Sequence, residues 1–389
     1  MVRRPCPTGP AGGGRDRGTP SRAPWDPSPV TLRAAFDARD ALHADLRGWG
    51  RYAADLLAAL RRRDDVDVRP HAGGGRLPEL AWEQVGWPAR LLGDRPDLLH
   101  APNCFLPLVR PCPGVVTVHD LAFETHPDDF SPRTGWKYRT FTRRAVLSAE
   151  AVICVSRATA DDVLARYGAD PARLHVVPNG PSLPRFDGPS RAAGVAGDPG
   201  PTDARDPAGP TADPDRPYLL AIGDLRAKKN LERLADAWRL SGLPHRLVIA
   251  GAGGAARDPA TPEGRLAAAL RARGVELPGY LPDAELDALL SGAAALVHPS
   301  LFEGFGLVVL EAMVRGVPVA CSDVPSLRET AGGAAALFDP RDVEDLARGL
   351  HDVVDRGATL GPAGAARAAG FSWDRAAEQT VGVYRSVAS

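Results

Sequence analysis

Apolar positions along this chain fall in short runs, and the runs alternate with stretches of helical period. TLRAAFD (31–37), DLLHAP (97–102), GVVTVHD (114–120) and AVICVS (151–156) read as strands. Segments such as RYAADLLAALRRR (51–63) separate them and read as helices. The alternation resumes with PYLLAIG (217–223), HRLVIAG (245–251), ALVHPS (295–300) and VPVACSD (317–323). Strands separated by helices predict parallel sheets covered on both faces. Two such sets predict an α/β chain of two Rossmann-like, doubly wound domains facing a cleft. Ligands of these sheets bind beyond the carboxyl ends of the strands, so the residues after each run are the ones to read for chemistry.

Breaks in the pattern set the expected domains. Residues 1–29 are rich in Pro, Gly and Arg without period and predict a disordered amino-terminal tail. The stretch 183–216 has hardly any large apolar residue and predicts a flexible connector. The expected domains are therefore 30–182 and 217–370, with a closing helix at 371–389. A length of 389 residues suits two cores better than one.

Composition removes several function classes. A formal net charge of −1 lacks the basic surplus of a nucleic-acid binder. Cys6, Cys104, Cys112, Cys154 and Cys321 are scattered, without a CxxC pair, and read as reduced thiols. No apolar run approaches the roughly 18–20 residues of a membrane span. The basic amino terminus has no apolar segment after it and does not read as a signal peptide. The expected location is cytoplasmic. Lysine occurs only at 137, 228 and 229, so the adjacent pair Lys228–Lys229 stands out.

The densest chemistry lies in HPSLFEGFGLVVLEAMVRGVPVACSD (298–323). A strand ends, Glu303-Gly304-Phe305-Gly306 turns, and a helix is expected from Gly306 to Arg315 before Gly316 stops it. The first backbone N–H groups of that helix are unpaired at the positive end of its dipole, and glycines let a phosphate come close to them. Glu311 lies at the edge of the helix's apolar stripe. A half-buried carboxylate there needs hydrogen-bond donors, and a vicinal diol such as a ribose supplies two. Glu303, outside the helix, could reach what lies beyond the phosphates. The plain alternative is an i,i+4 ion pair from Glu311 to Arg315, with Glu303 a solvated loop residue.

This strand, turn and glutamate pair with seven residues between, in PSLFEGFGLVVLEAMVRGVPVACSDVPSLRE (299–329), resembles the family 4 glycosyltransferases, the retaining nucleotide-sugar enzymes of the GT-B fold. The resemblance implies that Glu303 contacts the donor sugar and Glu311 the ribose. It further implies that backbone around Gly304, Phe305, Gly306 and Leu307 meets the sugar and diphosphate. IGDLRAKKNLERL (222–234) carries Gly223 and, six positions on, the lysine of the family pattern, Lys229. Asp224 stands where the family has a basic residue, so Arg226 or Lys228 would supply the second contact. LRGWGRYAADLLAAL (46–60) resembles the family's glycine loop, placing Gly48, Gly50 and Arg51 near the diphosphate. VVTVHDLAFETHP (115–127) matches its His-Asp pair at His119 and Asp120, implicated in sugar binding and activity. FSWDRAAEQTVGVYRSV (371–387) looks like the closing helix that crosses back to the first domain, anchored by Trp373 and Tyr384.

The function so implied is retaining transfer of a hexosyl group, mannosyl favoured, with 30–182 as the acceptor domain and 217–370 as the nucleotide-sugar domain. The donor would be a nucleotide sugar (GDP-mannose or a UDP-sugar) and the acceptor a glycan, lipid or small molecule, with no separate cofactor. His119, Glu303 and Lys229 are the expected catalytic residues. Rival readings remain. GAGGAA (251–256) satisfies a dinucleotide fingerprint, but Pro259 and Pro262 interrupt the helix it must open; Gly251 is expected instead to line the nucleotide cleft. The triplets DVD (65–67) and DPD (213–215) are read as away from strand ends, so no metal is expected. The basic, aromatic segment 131–147 reads as an amphipathic surface helix, with peripheral contact at the inner membrane face as its alternative. A GT-B nucleotide-sugar epimerase and a non-catalytic nucleotide-sugar binder are the alternative functions.

Overall fold

The structure, a computed structural model, describes residues 31–42, 48–73, 78–185 and 216–388. The expected tail at 1–29 and most of the expected connector, 186–215, lie outside the described residues, as does the DPD triplet.

Two six-stranded sheets form, and every strand pairing in both is parallel. The first contains β1 (Leu32–Asp37), β2 (Val66–His71), β3 (Leu98–Ala101), β4 (Gly114–Val118), β5 (Ala151–Cys154) and β6 (Leu174–Val176), in the order β2-β1-β3-β4-β5-β6. The second contains β7 (Tyr218–Ile222), β8 (Arg246–Ala250), β9 (Glu276–Gly279), β10 (Ala295–His298), β11 (Val319–Ser322) and β12 (Ala336–Phe338), in the order β12-β11-β10-β7-β8-β9. Strand order reverses between β1 and β3 in one sheet and between β7 and β10 in the other. Loops leaving the two strands at such a reversal diverge and open a crevice at their carboxyl ends. This is the two-domain doubly wound architecture expected from the alternating pattern.

The eight runs recognised in the sequence are the inner strands. Helices cover both faces of each sheet, so β4 and β5 are buried along their whole length and need continuous apolar runs. The four strands the pattern did not predict, β2, β6, β9 and β12, are the four sheet edges. β2 and β9 contain prolines, Pro70 and Pro278, and β6 and β12 have three residues each. Edges tolerate proline because one side of the strand makes no ladder bonds. One consequence corrects the reading of DVD: Val66 and Asp67 open β2, so the triplet lies at a strand's amino end, opposite the ligand-binding side.

The closing helix is Trp373–Ala388, and it crosses to the first half. The buried Tyr384 hydroxyl lies 2.7 Å from His100 Nδ1, and His100 Nε2 lies 2.8 Å from Thr117 Oγ1. Burial pushes the His100 pKa down to about 3, which leaves a neutral ring suited to this internal chain. The Trp373 indole donates to Pro181 O at 2.8 Å. Segment 131–147 forms the Pro132–Ser148 helix, with Trp136 exposed and Tyr138 lining the central cleft. Among the described residues no helix is long and apolar enough to cross a membrane.

Candidate active site

The second sheet places its chemistry at the crevice between β7 and β10. After β7, Gly223 and Gly251 bring two strand-end loops together: Gly251 has φ 105°, and a Cβ there would lie 2.8 Å from Gly223 O. A short turn, Ala227–Lys229, then presents both lysines. It is pinned by Asn230, in the left-handed region at φ 57°, whose side-chain amide donates to Pro299 O at 3.1 Å and Pro340 O at 2.7 Å. After β10 come His298 and Glu303. Lys229 Nζ lies 2.5 Å and His298 Nε2 3.1 Å from the same oxygen, Glu303 Oε1. Burial alone would raise the Glu303 carboxyl, yet Lys229 and His298 hold it well below the usual carboxylate range. Burial lowers the pKa of His298, and a neutral imidazole facing a carboxylate must donate its N–H. Glu303 is thus a fixed, partnered anion, not a solvated loop residue.

The helix after it runs Leu307–Val314, one residue shorter at each end than expected. Gly306 at φ 91° enters it, and no side chain caps it. The first turn therefore faces the cleft with open backbone donors. Glu311 departs from the simplest expectation. Its Oε1 accepts the N–H groups of Ser182 and Leu183, at 2.5 and 2.7 Å, and its Oε2 accepts from Arg315 at 3.1 Å. Arg315 also reaches Asp287 at 2.7 Å and the carbonyls of Leu183 and Pro184 at 3.0 Å each. The plain i,i+4 ion pair is formed, and it extends into a clamp on the end of the first half. Burial raises the Glu311 pKa against these donors. A diol at Glu311 would have to exchange with them.

The first half supplies the opposite wall. Gly48, at φ 47°, and Gly50 open the Trp49–Arg61 helix. Arg51 does not stand free for a phosphate; its guanidinium reaches Asp283 of the second half at 2.8 Å. His119 Nε2 lies 2.7 Å from Pro102 O. A carbonyl only accepts, so this nitrogen carries the proton. Burial pushes the His119 pKa down to about 4, and its ring stacks on Trp49, centroids 5.5 Å apart and planes 16° from parallel. Asp120 Oδ2 lies 3.6 Å from Lys228 Nζ across the cleft. Between the two candidates for a second basic contact, Lys228 is buried in the cleft, whereas Arg226 is half-exposed and pairs with Asp224 at 2.9 Å. The halves touch at Gly304, where a Cβ would fall 1.7 Å from His119 O. The Gly304 carbonyl accepts from Ser156 Oγ at 2.5 Å and Thr159 Oγ1 at 3.2 Å.

All of the candidate residues, from Gly48, Gly50 and Arg51 to Leu307 and Glu311, line one cleft of about 940 Å³ between the sheets. Comparison with known proteins decides the kinship. The family model for glycosyl transferases group 1 matches residues 203–360, and that for Glycosyltransferase Family 4 matches residues 46–183. An alpha-maltose-1-phosphate synthase of Mycobacterium tuberculosis is 31% identical over 304 residues, covering 71% of this chain and 73% of the relative. The chain belongs to glycosyltransferase family 4. The O-antigen chain mannosyltransferase B of Escherichia coli is 29% identical to this family 4 glycosyltransferase over 311 residues, 74% of each chain. Among solved structures, sucrose-phosphate synthase of Thermosynechococcus elongatus superposes with TM-score 0.68 at 21% identity, covering 91% of this chain and 98% of that one. Anabaena HepE, solved with UDP and glucose, superposes with TM-score 0.66 at 18% identity, covering 91% and 100%. The GT-B fold is shared.

Sequence reasoning about this glycosyltransferase missed His298, which sits inside the quoted run ALVHPS and was passed over as a strand residue. It also missed Asp40, Trp49, Asn103 and Asp283 in the cleft lining. Asn103 directly follows the run 97–102 and Asp40 lies three residues after the run 31–37, so their places at strand ends were the signal that could have found them.

Proposed function

We propose that this glycosyltransferase moves a hexosyl group, mannosyl in the favoured case, from a nucleoside diphosphate sugar to an acceptor hydroxyl, with retention of anomeric configuration and without a metal ion. The observation that carries this reading is the Lys229–Glu303 pair, with His298 on the same oxygen, beside the uncapped helix start at Gly306. A diphosphate suits the open N–H groups of that turn, with Lys228 and Lys229 as its counter-cations. Glu303, ionised and positioned, is an acceptor for sugar hydroxyls. Mannosyl transfer is favoured by the mannosyltransferases among the relatives.

As the bond between the sugar C1 and the β-phosphate oxygen lengthens, negative charge grows on the diphosphate. Fixed positive groups stabilise that charge without reorganising. The acceptor oxygen forms its new bond to C1 on the face the phosphate leaves, and its proton passes to the departing phosphate oxygen. Glu303 is occupied by Lys229 and His298, which suits a hydrogen-bond acceptor better than a covalent nucleophile. Closure of the two halves excludes water from the reacting centre.

The test is a thermal-shift series with GDP, UDP, ADP, dTDP and their sugars, because a ligand of the folded state raises Tm. GDP-mannose or a UDP-hexose should give the largest rise. A flat response to every nucleotide sugar overturns the reading. Transfer activity that disappears in EDTA and returns with manganese overturns metal independence.

A further inference from the structure

Two residues that the family pattern assigns to the donor, Glu311 and Arg51, already hold protein groups of donor-like chemistry. Glu311 Oε1 accepts two backbone N–H groups, from Ser182 at 2.5 Å and Leu183 at 2.7 Å. A vicinal diol would offer that carboxylate the same number of donors. Arg51 forks onto Asp283, its two terminal nitrogens 2.8 and 3.2 Å from the two carboxylate oxygens. A guanidinium takes two oxygens of a phosphate by the same parallel pair of bonds.

Both contacts join the halves. Arg51 and the 182–183 segment come from the first, Glu311 and Asp283 from the second, and all five residues line the central cleft. The contacts are also neighbours: against the cost of burial, Asp283 and then Glu311 raise the Arg51 pKa. The segment is anchored where it lies. Leu183 is buried in the core that the two halves share, and the buried Arg315 donates to the carbonyls of Leu183 and Pro184 at 3.0 Å each.

We propose that the 182–183 segment and Asp283 form an intramolecular latch that competes with the nucleotide for the donor site. The two N–H groups take the place of ribose hydroxyls at Glu311, and the Asp283 carboxylate takes the place of phosphate oxygens at Arg51. The proposal rests on the donor reading above and adds its regulation. On exchange, like replaces like. Glu311 keeps two donors and Arg51 keeps two anionic oxygens, so neither charge is left unpaired. Released from Asp283, Arg51 joins Lys228 and Lys229 at the diphosphate. Apparent affinity is the intrinsic affinity reduced by the fraction of chains whose latch is open. Weakening the latch should therefore tighten nucleotide binding, the reverse of what damage to a site does.

The test uses the full chain with GDP and UDP, read by isothermal titration and amide hydrogen exchange. Asp283→Asn keeps the side chain's shape and removes its charge. It should lower the dissociation constant of the tighter nucleotide about two- to fivefold, the range for one partly exposed ion pair. Leu183→Ala loosens the anchor of the segment, and should lower that constant about threefold or more even as Tm falls. Asp283 is partly exposed, so its variant still reports if Leu183→Ala fails to fold. In the wild type the nucleotide should slow exchange within 303–311 and speed it at 182 and 183, whose N–H groups leave Glu311 for water. Unchanged or weaker nucleotide binding in Asp283→Asn, or unchanged or slowed exchange at 182 and 183, overturns the latch and leaves the donor reading standing. Exchange within 303–311 that responds to neither nucleotide overturns the donor reading, and the latch with it.

Discussion

Lys229 Nζ and Glu303 Oε1 lie 2.5 Å apart, although the two residues follow different strands, β7 and β10, separated in the chain by two intervening strands of the same sheet. The strand-order reversal is what brings these ends together. The pair is 15% and 13% exposed, dry enough for the Lys229 charge to act strongly on an anion brought to this crevice.

Lys229→Ala should therefore lower kcat by about two to three orders of magnitude, the scale for loss of one fixed group that stabilises developing charge. Glu303→Ala should lower turnover comparably while the nucleotide product still binds. Steady-state kinetics with product-inhibition titration separates the two effects. Wild-type turnover in Glu303→Ala would remove it from the reacting centre.

Glu311 holds the backbone of Ser182 and Leu183, so its loss acts twice. Glu311→Ala should raise the donor dissociation constant about tenfold or more, equivalent to ~1.4 kcal/mol, and should lower Tm because the buried Arg315 loses an acidic partner. Arg315→Met should lower Tm while leaving more of the donor affinity. Isothermal titration beside thermal melts reads both, and unchanged nucleotide affinity in Glu311→Ala would refute the ribose role.

Gly304 has no room for a side chain, since its Cβ would overlap His119 O. Gly304→Ala should hold the halves apart. We expect activity to fall by about two orders of magnitude, as misplacement of reacting groups on the 1 Å scale does, with a larger radius of gyration in small-angle scattering. Full activity with an unchanged radius would show that the halves need not meet here.

His119 is neutral in the folded chain, with its pKa pushed down to about 4 by burial, while an unfolded histidine titrates near 6.5. Between those values the unfolded state binds more protons, so stability falls as pH drops through that window. By that linkage His119 contributes a loss of about 2 kcal/mol between pH 7 and pH 5. His119→Gln should lose less stability over that interval in urea titrations. His100, buried and lowered to about 3, supplies a parallel loss that persists in the variant.

Much of this protein was legible in one dimension. A strand buried on both faces must be continuously apolar, so β4, β5, β8 and β10 announced themselves. A glycine turn between two glutamates is local chemistry, and it marked the second half's site. Edge strands escaped because half their surface makes no such demand.

The partners of each charge belong to the tertiary structure. Order in the chain could set Lys229 six residues after Gly223, but only the reversal between β7 and β10 sets it against Glu303 and His298. Arg51 finds Asp283, and Glu311 finds Ser182 and Leu183, across the cleft. Nothing local encodes these pairings, because they depend on how two sheets face each other. Asp40 and Asn103, 63 residues apart, meet for the same reason: neighbouring strands in a doubly wound sheet need not be neighbours in sequence.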